Sequence, residues 1–142
     1  NQRQTIVISF GASDPNQLTL MAMKGCANIP LDTPIQVVIG PAFTHATAIH
    51  SLNSTLENRF EVIEGCMDLA PVFSTARYVI TAVGVSLFEA TYLDAHCVVI
   101  SNYESDKKDE KKLRLWDTVT VLGDYTGLDT STLQRYIEGL AK

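Results

Sequence analysis

The 142-residue sequence predicts an α/β fold, a Rossmann-like three-layer αβα sandwich on a mostly parallel six-stranded sheet. Three observations carry this expectation. Short apolar, β-branched runs recur at intervals of about twenty to thirty residues. They read as nearly continuous hydrophobic stretches rather than alternating ones, as strands do when helices cover both faces of a parallel sheet. The segments between them carry helical periodicity, and repeated strand–helix–strand alternation implies right-handed crossovers in an open, doubly wound sheet.

The first strand is TIVISF (5 to 10), followed by a helical segment over 16 to 27 whose buried face holds Leu18, Met21, Ala22 and Gly25. IQVVIG (35 to 40) gives the second strand and 44 to 56 the second helix. FEVIEG (60 to 65) leads into 67 to 76, and YVITA (78 to 82) into 84 to 95, where Leu87, Ala90, Thr91 and Asp94 fall at helical spacing. CVVIS (97 to 101) and TVTVLG (118 to 123) complete the sheet, with helices over 106 to 116 and 129 to 141. The mixed-sign run Asp106 to Lys112 reads as a solvated helix face with charge pairs one turn apart.

Composition narrows the function classes. At 46% hydrophobic and 19% charged, the chain has enough apolar material for one domain spanning residues 1 to 142. A net charge of -5 counts against nonspecific binding to nucleic acid or an anionic membrane. No apolar run approaches the roughly 20 residues of a transmembrane helix. Cys26, Cys66 and Cys97 lack CxxC spacing, and an odd count leaves one unpaired, so a reducing cytoplasm fits better than a disulfide framework. His45, His50 and His96 have no metal-ligand spacing, and no metal or cofactor is expected. The first residue is Asn1 rather than methionine, which suggests a piece of a longer polypeptide.

In an open parallel sheet, ligands bind beyond the carboxyl ends of the strands, so the residues just after each apolar run carry the information. Gly11-Ala12-Ser13-Asp14-Pro15 is one such turn. Gly11 permits a tight bend, Ser13 or Asp14 can cap the helix, and the free amides of a helix end attract phosphate or carboxylate. In Gly84-Val85-Ser86-Leu87-Phe88-Glu89, the Ser86-x-x-Glu89 pattern is a capping box. The same carboxylate one turn into a helix also suits a ribose diol, and both readings stay open. Glu64-Gly65-Cys66-Met67-Asp68 either meets a flat base or simply turns the chain and caps the next helix.

IVISFGASDPNQLTL resembles the SFGGSDP opening of the nucleotide-binding half of the SpsG spore coat polysaccharide biosynthesis proteins and the related PseG family. The similarity continues through VVIGPAF and FEVIEGCMDLAPVFSTARYVITAVGVSLFEATYLDAHCVVIS, about residues 5 to 101. Members of that family look like inverting glycosyltransferases of the B fold, and PseG is a UDP-sugar hydrolase. The resemblance implies that this chain is the carboxyl-terminal, nucleotide-sugar-binding half of a two-domain enzyme of polysaccharide or nonulosonic acid synthesis. Its partners would be UDP or a UDP-sugar and the amino-terminal half of the same polypeptide, with a homodimer left open.

By resemblance, Gly11, Ser13 and Asp14 face the sugar or diphosphate, and Val62, Ile63 and Glu64 border the uracil. Gly84, Val85 and Ser86 receive the diphosphate, and Glu89 holds the ribose hydroxyls. The family's general base resembles a histidine of the amino-terminal half, so no catalytic residue is assigned here. Departures point to an alternative, a degenerate noncatalytic module for protein contacts. Gly11-Ala12 and Val83-Gly84 stand where the family has paired glycines, and Ser105-Asp106 where it often has Asn-Gln.

Overall fold

The computed structural model describes residues 3–66, 68–102 and 106–140. Six strands and six α-helices alternate: β1 (Thr5–Ile8), α1 (Leu18–Cys26), β2 (Ile35–Ile39), α2 (Ala46–Thr55), β3 (Glu61–Glu64), α3 (Ala70–Ser74), β4 (Ala76–Thr81), α4 (Val85–Tyr92), β5 (His96–Ser101), α5 (Lys107–Leu113), β6 (Val119–Asp124) and α6 (Thr130–Leu140). A 3-10 turn, Tyr125–Gly127, joins the last two. The sheet order is β3-β2-β1-β4-β5-β6 and every pairing is parallel. The expected alternation is present throughout, and the sheet is wholly rather than mostly parallel.

Two apolar layers sandwich the sheet because alternate side chains of each buried strand point to opposite faces. Ile6, Ile8, Val37, Ile80 and Val98 pack against Leu18, Met23 and Cys26 of α1, Ile49 of α2 and Leu133 and Ile137 of α6. Val7, Val79, Cys97, Val99 and Val121 pack against Phe73 of α3, Leu87 and Ala90 of α4 and Leu113 of α5. Gly25 lets α6 lie close on α1, since a Cβ there would stand 3.2 Å from Leu133 Cγ. On α4 the expected face is only partly buried: Thr91 is half-buried, and Asp94 lies beyond the helix in a left-handed conformation, φ 67°.

Polar staples close the ends of the layers. The Arg3 guanidinium donates to the carbonyls of Phe73, Ala76 and Leu93, tying the start of β1 to α3 and to the end of α4. Arg59 donates to the carbonyls of Ile29, Pro30 and Thr33. The α5 charge run is solvated except for Glu110, which is buried, accepts a hydrogen bond from Ser101 Oγ at 2.9 Å and pairs with Arg114 one turn on. Among the described residues, no helix is long and apolar enough to cross a membrane.

Candidate functional site: a crevice at the carboxyl edge

The crossover from β1 runs through α1 on one face of the sheet, and the chain leaving β4 runs through α4 on the other. Adjacent parallel strands whose connections part in this way open a crevice at their carboxyl ends. A cleft of about 400 Å³ occupies that position, lined by Ser9, Gly11, Gly40, Cys66, Gly84 and Ser86 among others. Two smaller clefts flank it, one of about 180 Å³ reaching Ser13, Asp14, Val83 and Asn102. The other, of about 270 Å³, reaches Phe43, Glu64 and Gly65. A separate cleft of about 240 Å³ beside Gln4, Asp32 and Arg77 lies at the amino edge, on the far side of the sheet from these turns.

Backbone-to-backbone contact joins the β1 and β2 turns. Ala42 N donates to Ala12 O at 2.8 Å. A Cβ on Gly40 would lie 2.3 Å from Gly11 O and 2.6 Å from Ala12 O, so only glycine fits. Gly11 itself has φ 82°, the left-handed conformation that glycine adopts without steric cost.

At the start of α1, Asp14 takes the first amides, as its capping reading expects. Asp14, at φ 45°, turns its carboxylate inward and is 1% exposed. Oδ1 accepts from Leu18 N and Oδ2 from Thr19 N, both at 2.8 Å. Oδ2 also lies 3.2 Å from Nε2 of buried His45, whose ring stacks on Phe43 at 4.6 Å between centroids. The chain's own anion therefore occupies the positive end of α1, where the helix dipole favours it. Ser13 is left exposed on the rim, and Pro15 precedes the helix rather than entering its first turn.

The start of α4 is built differently. Its N-cap is Gly84, in extended backbone, and no side chain caps it. The Ser86–Glu89 capping box expected from the sequence does not form, because the helix begins at Val85 and places Ser86 inside its first turn. Glu89 is exposed one turn further along, and Val85 is exposed at the mouth. The first amides of α4 thus lack the intrahelical partners that later residues have. Nearby stands a group that sequence reading passed over. Ser9 Oγ is buried without a hydrogen-bond partner in a residue 1% exposed, and the residue lines the central cleft. Strand alternation sets it on the same face as Val7, the α4 side. The available signal was a polar residue interrupting TIVISF at its last turn.

The third turn carries Gly65 at φ 75°, and Asp68 Oδ1 accepts from Ala70 N at 3.0 Å at the start of α3. Ile63 is half-buried and packs into the α3/α4 layer. Glu64 lies exposed beside α2, with Oε1 3.0 Å from His50 Nε2. Cys66 is exposed, its Sγ donating to Asp68 O at 3.1 Å. Burial pushes the Cys26 thiol up to about 12 and raises Cys97 as well, so neither is a nucleophile. The expectations for Met67 and Ser105 lie outside the described residues, while Asp106 stands at the start of α5. Among the described residues, no group of three or more His, Cys, Asp or Glu is arranged to hold a metal.

Sheet order and switch-point crevice together define a doubly wound α/β domain of Rossmann type, with the crevice between β1 and β4. No family model matches the chain. It is 29% identical over 103 residues to the spore coat polysaccharide biosynthesis protein SpsG of Bacillus subtilis, covering 71% of this chain and 30% of that protein. It is also 26% identical over 109 residues to an uncharacterized protein of Methanocaldococcus jannaschii, covering 75% and 22%. The chain spans less than a third of the length of either relative.

Proposed function

We propose that this domain binds the nucleoside diphosphate part of a nucleotide-sugar, as the nucleotide-binding half of a glycosyltransferase-like or UDP-sugar-hydrolysing enzyme of surface polysaccharide synthesis. The observation that carries the reading is the start of α4, where amides without a side-chain cap stand at a cleft lined also by Ser9, whose buried hydroxyl has no partner. Backbone N–H groups at a helix start bind phosphate through hydrogen bonds and the helix dipole. Similarity to a polysaccharide biosynthesis protein supports the same reading.

In this scheme Gly84, Val85 and Ser86 hold the diphosphate, with Gly11 and Ser13 at the sugar side. Ile63 borders the base, and Glu89 accepts from the ribose hydroxyls. Asp14 acts one step back, fixing the β1 turn through α1 and His45 rather than touching ligand. The departing diphosphate gains charge as the anomeric bond breaks, and donors fixed in advance at α4 stabilise that charge without reorganising. The attacking water or hydroxyl needs its base from a second domain, so this chain alone is expected to bind without turnover.

A second reading, a noncatalytic module for protein contacts, is favoured by the outer face of α4. There Val85, Phe88 and Tyr92 are 74%, 52% and 87% exposed, and the Phe88 ring meets Trp116 edge-on at 6.1 Å. Calorimetric titration with UDP separates the two. Micromolar to millimolar binding, weakened about tenfold in Glu89→Ala, supports the nucleotide reading. Absence of binding by any nucleoside diphosphate to a folded parent chain leaves the contact module.

A further inference from the structure

The cleft beside β3 bears on which base such a nucleotide carries, an inference that rests on the nucleotide reading above. This cleft adjoins the central one, sharing Ile39, Gly40, Pro41 and Cys66 with it. Two side chains distinguish its walls. Phe43 is half-buried with one ring face on His45, and Glu64 brings a carboxylate. Gly65 adds backbone alone, leaving open space where a Cβ would stand. This is an aromatic wall with an acceptor-only group at one end.

The hydrogen-bonding edges of the bases answer differently to that group. An ionised carboxylate offers acceptors on both oxygens and no donor. His50 engages only Oε1 of Glu64, so lone pairs remain on both oxygens. Uracil presents a single N–H between two carbonyl oxygens, so its approach sets acceptor against acceptor on either side. Cytosine and adenine each present one amino group next to a ring-nitrogen acceptor. Guanine alone among the common bases presents two adjacent donors, N1–H and N2–H, spaced for the two oxygens of a carboxylate. Paired charge-assisted hydrogen bonds of this kind are the stronger sort, and they replace the water that the carboxylate gives up.

We infer that the nucleobase subsite is built for guanine, with the ring against Phe43 and its N1–H and N2–H donating to Glu64. The expectation from resemblance placed a uracil beside Ile63 and Glu64, and the side chain at Glu64 favours a different base. The domain would then take a guanosine diphosphate sugar.

The test titrates the folded chain in parallel with GDP, inosine diphosphate and UDP. Hypoxanthine keeps N1–H but lacks the amino group, so it isolates the second hydrogen bond. GDP should bind about tenfold more tightly than UDP, with inosine diphosphate between them. In Glu64→Gln this preference should collapse to less than twofold, because the amide replaces one acceptor by a donor. Phe43→Leu should weaken all three ligands by a similar factor, since stacking is indifferent to base edges. UDP binding as tightly as GDP, or a GDP preference that survives Glu64→Gln, overturns the guanine assignment and leaves nucleotide binding intact. If none of the three binds to a chain shown to be folded, both the assignment and the nucleotide reading fail.

Discussion

The starts of α1 and α4 follow adjacent strands, one after a nine-residue turn and the other after a three-residue turn, and one is closed while the other is open. Asp14 places its carboxylate on the amides of Leu18 and Thr19 and is held from behind by His45. Gly84 brings no side chain at all, and Ser9, whose buried hydroxyl has no partner, lines the same cleft. A helix start is an anion site only until the chain fills it. Here the chain has filled one with its own carboxylate and left the other without a side-chain cap.

The largest test of that contrast removes the internal anion. Asp14→Ala strands two amides and a buried imidazole, and should cost about 3 kcal/mol in denaturant unfolding. Asp14→Asn, whose amide oxygen keeps one bond, should lose less than half of that. An Asp14→Ala chain as stable as the parent would mean that the closed end carries no structural load.

Next comes the pair of turn glycines. Gly40→Ala forces a methyl into the carbonyls of Gly11 and Ala12, and should cost roughly 2 kcal/mol while disturbing the crevice. Gly84→Ala meets nothing within 4 Å and has extended backbone, so its thermal midpoint should correspond to a change within about 0.5 kcal/mol. Equal effects at the two positions would erase the distinction between packed and open turns.

Thiol chemistry sharpens the comparison at no cost to the fold. Cys26 sits on α1 in the buried layer and Cys97 in β5, both raised by burial, while Cys66 is exposed in the crevice. In the native chain one thiol of the three should react promptly with an aromatic disulfide reagent, with the other two following only on unfolding. Nucleotide should slow the reaction at Cys66, and prompt reaction of all three would contradict the packing.

The smallest effect belongs to a control remote from both helix starts. Partial burial lowers the pKa of His96 below its usual 6.5, so the unfolded chain binds the proton more readily than the folded one. Stability contributed by its neutral form is complete above pH 6.5 and is lost as pH falls from there through the lowered folded value. His96→Gln should flatten that part of the stability profile. An unchanged slope would assign it to other groups.

Much of the fold was legible because it rests on pattern. Continuous β-branched runs such as CVVIS have little choice but a doubly covered strand, and helices of opposite faces follow from the handedness of crossovers. Boundaries within the turns were not legible, since they depend on one or two dihedral angles. Beginning α4 at Val85 instead of two residues later, at Leu87, turns Ser86 from a cap into a member of the first turn. Asp14 reads as an N-cap by residue type, but its reach to two amides depends on left-handed backbone at both Asp14 and Gln17. The role of Ser9 was hidden for another reason. Whether a hydroxyl at a strand end is paired depends on the helix that passes over it, which no local window contains.

The difference between the two helix starts comes down to amide resonances in a ¹⁵N-labelled chain titrated with GDP and UDP, alongside Gly84→Asp. That substitution supplies α4 with its own carboxylate cap, as Asp14 does for α1, at an expected stability change within about 0.5 kcal/mol. Val85 and Ser86 should shift on ligand addition in the parent while Leu18 and Thr19 stay still, and Gly84→Asp should abolish the response. Shifts centred on Leu18 and Thr19, or nucleotide binding undiminished in Gly84→Asp, would contradict the assignment of the open end of α4 as the phosphate site.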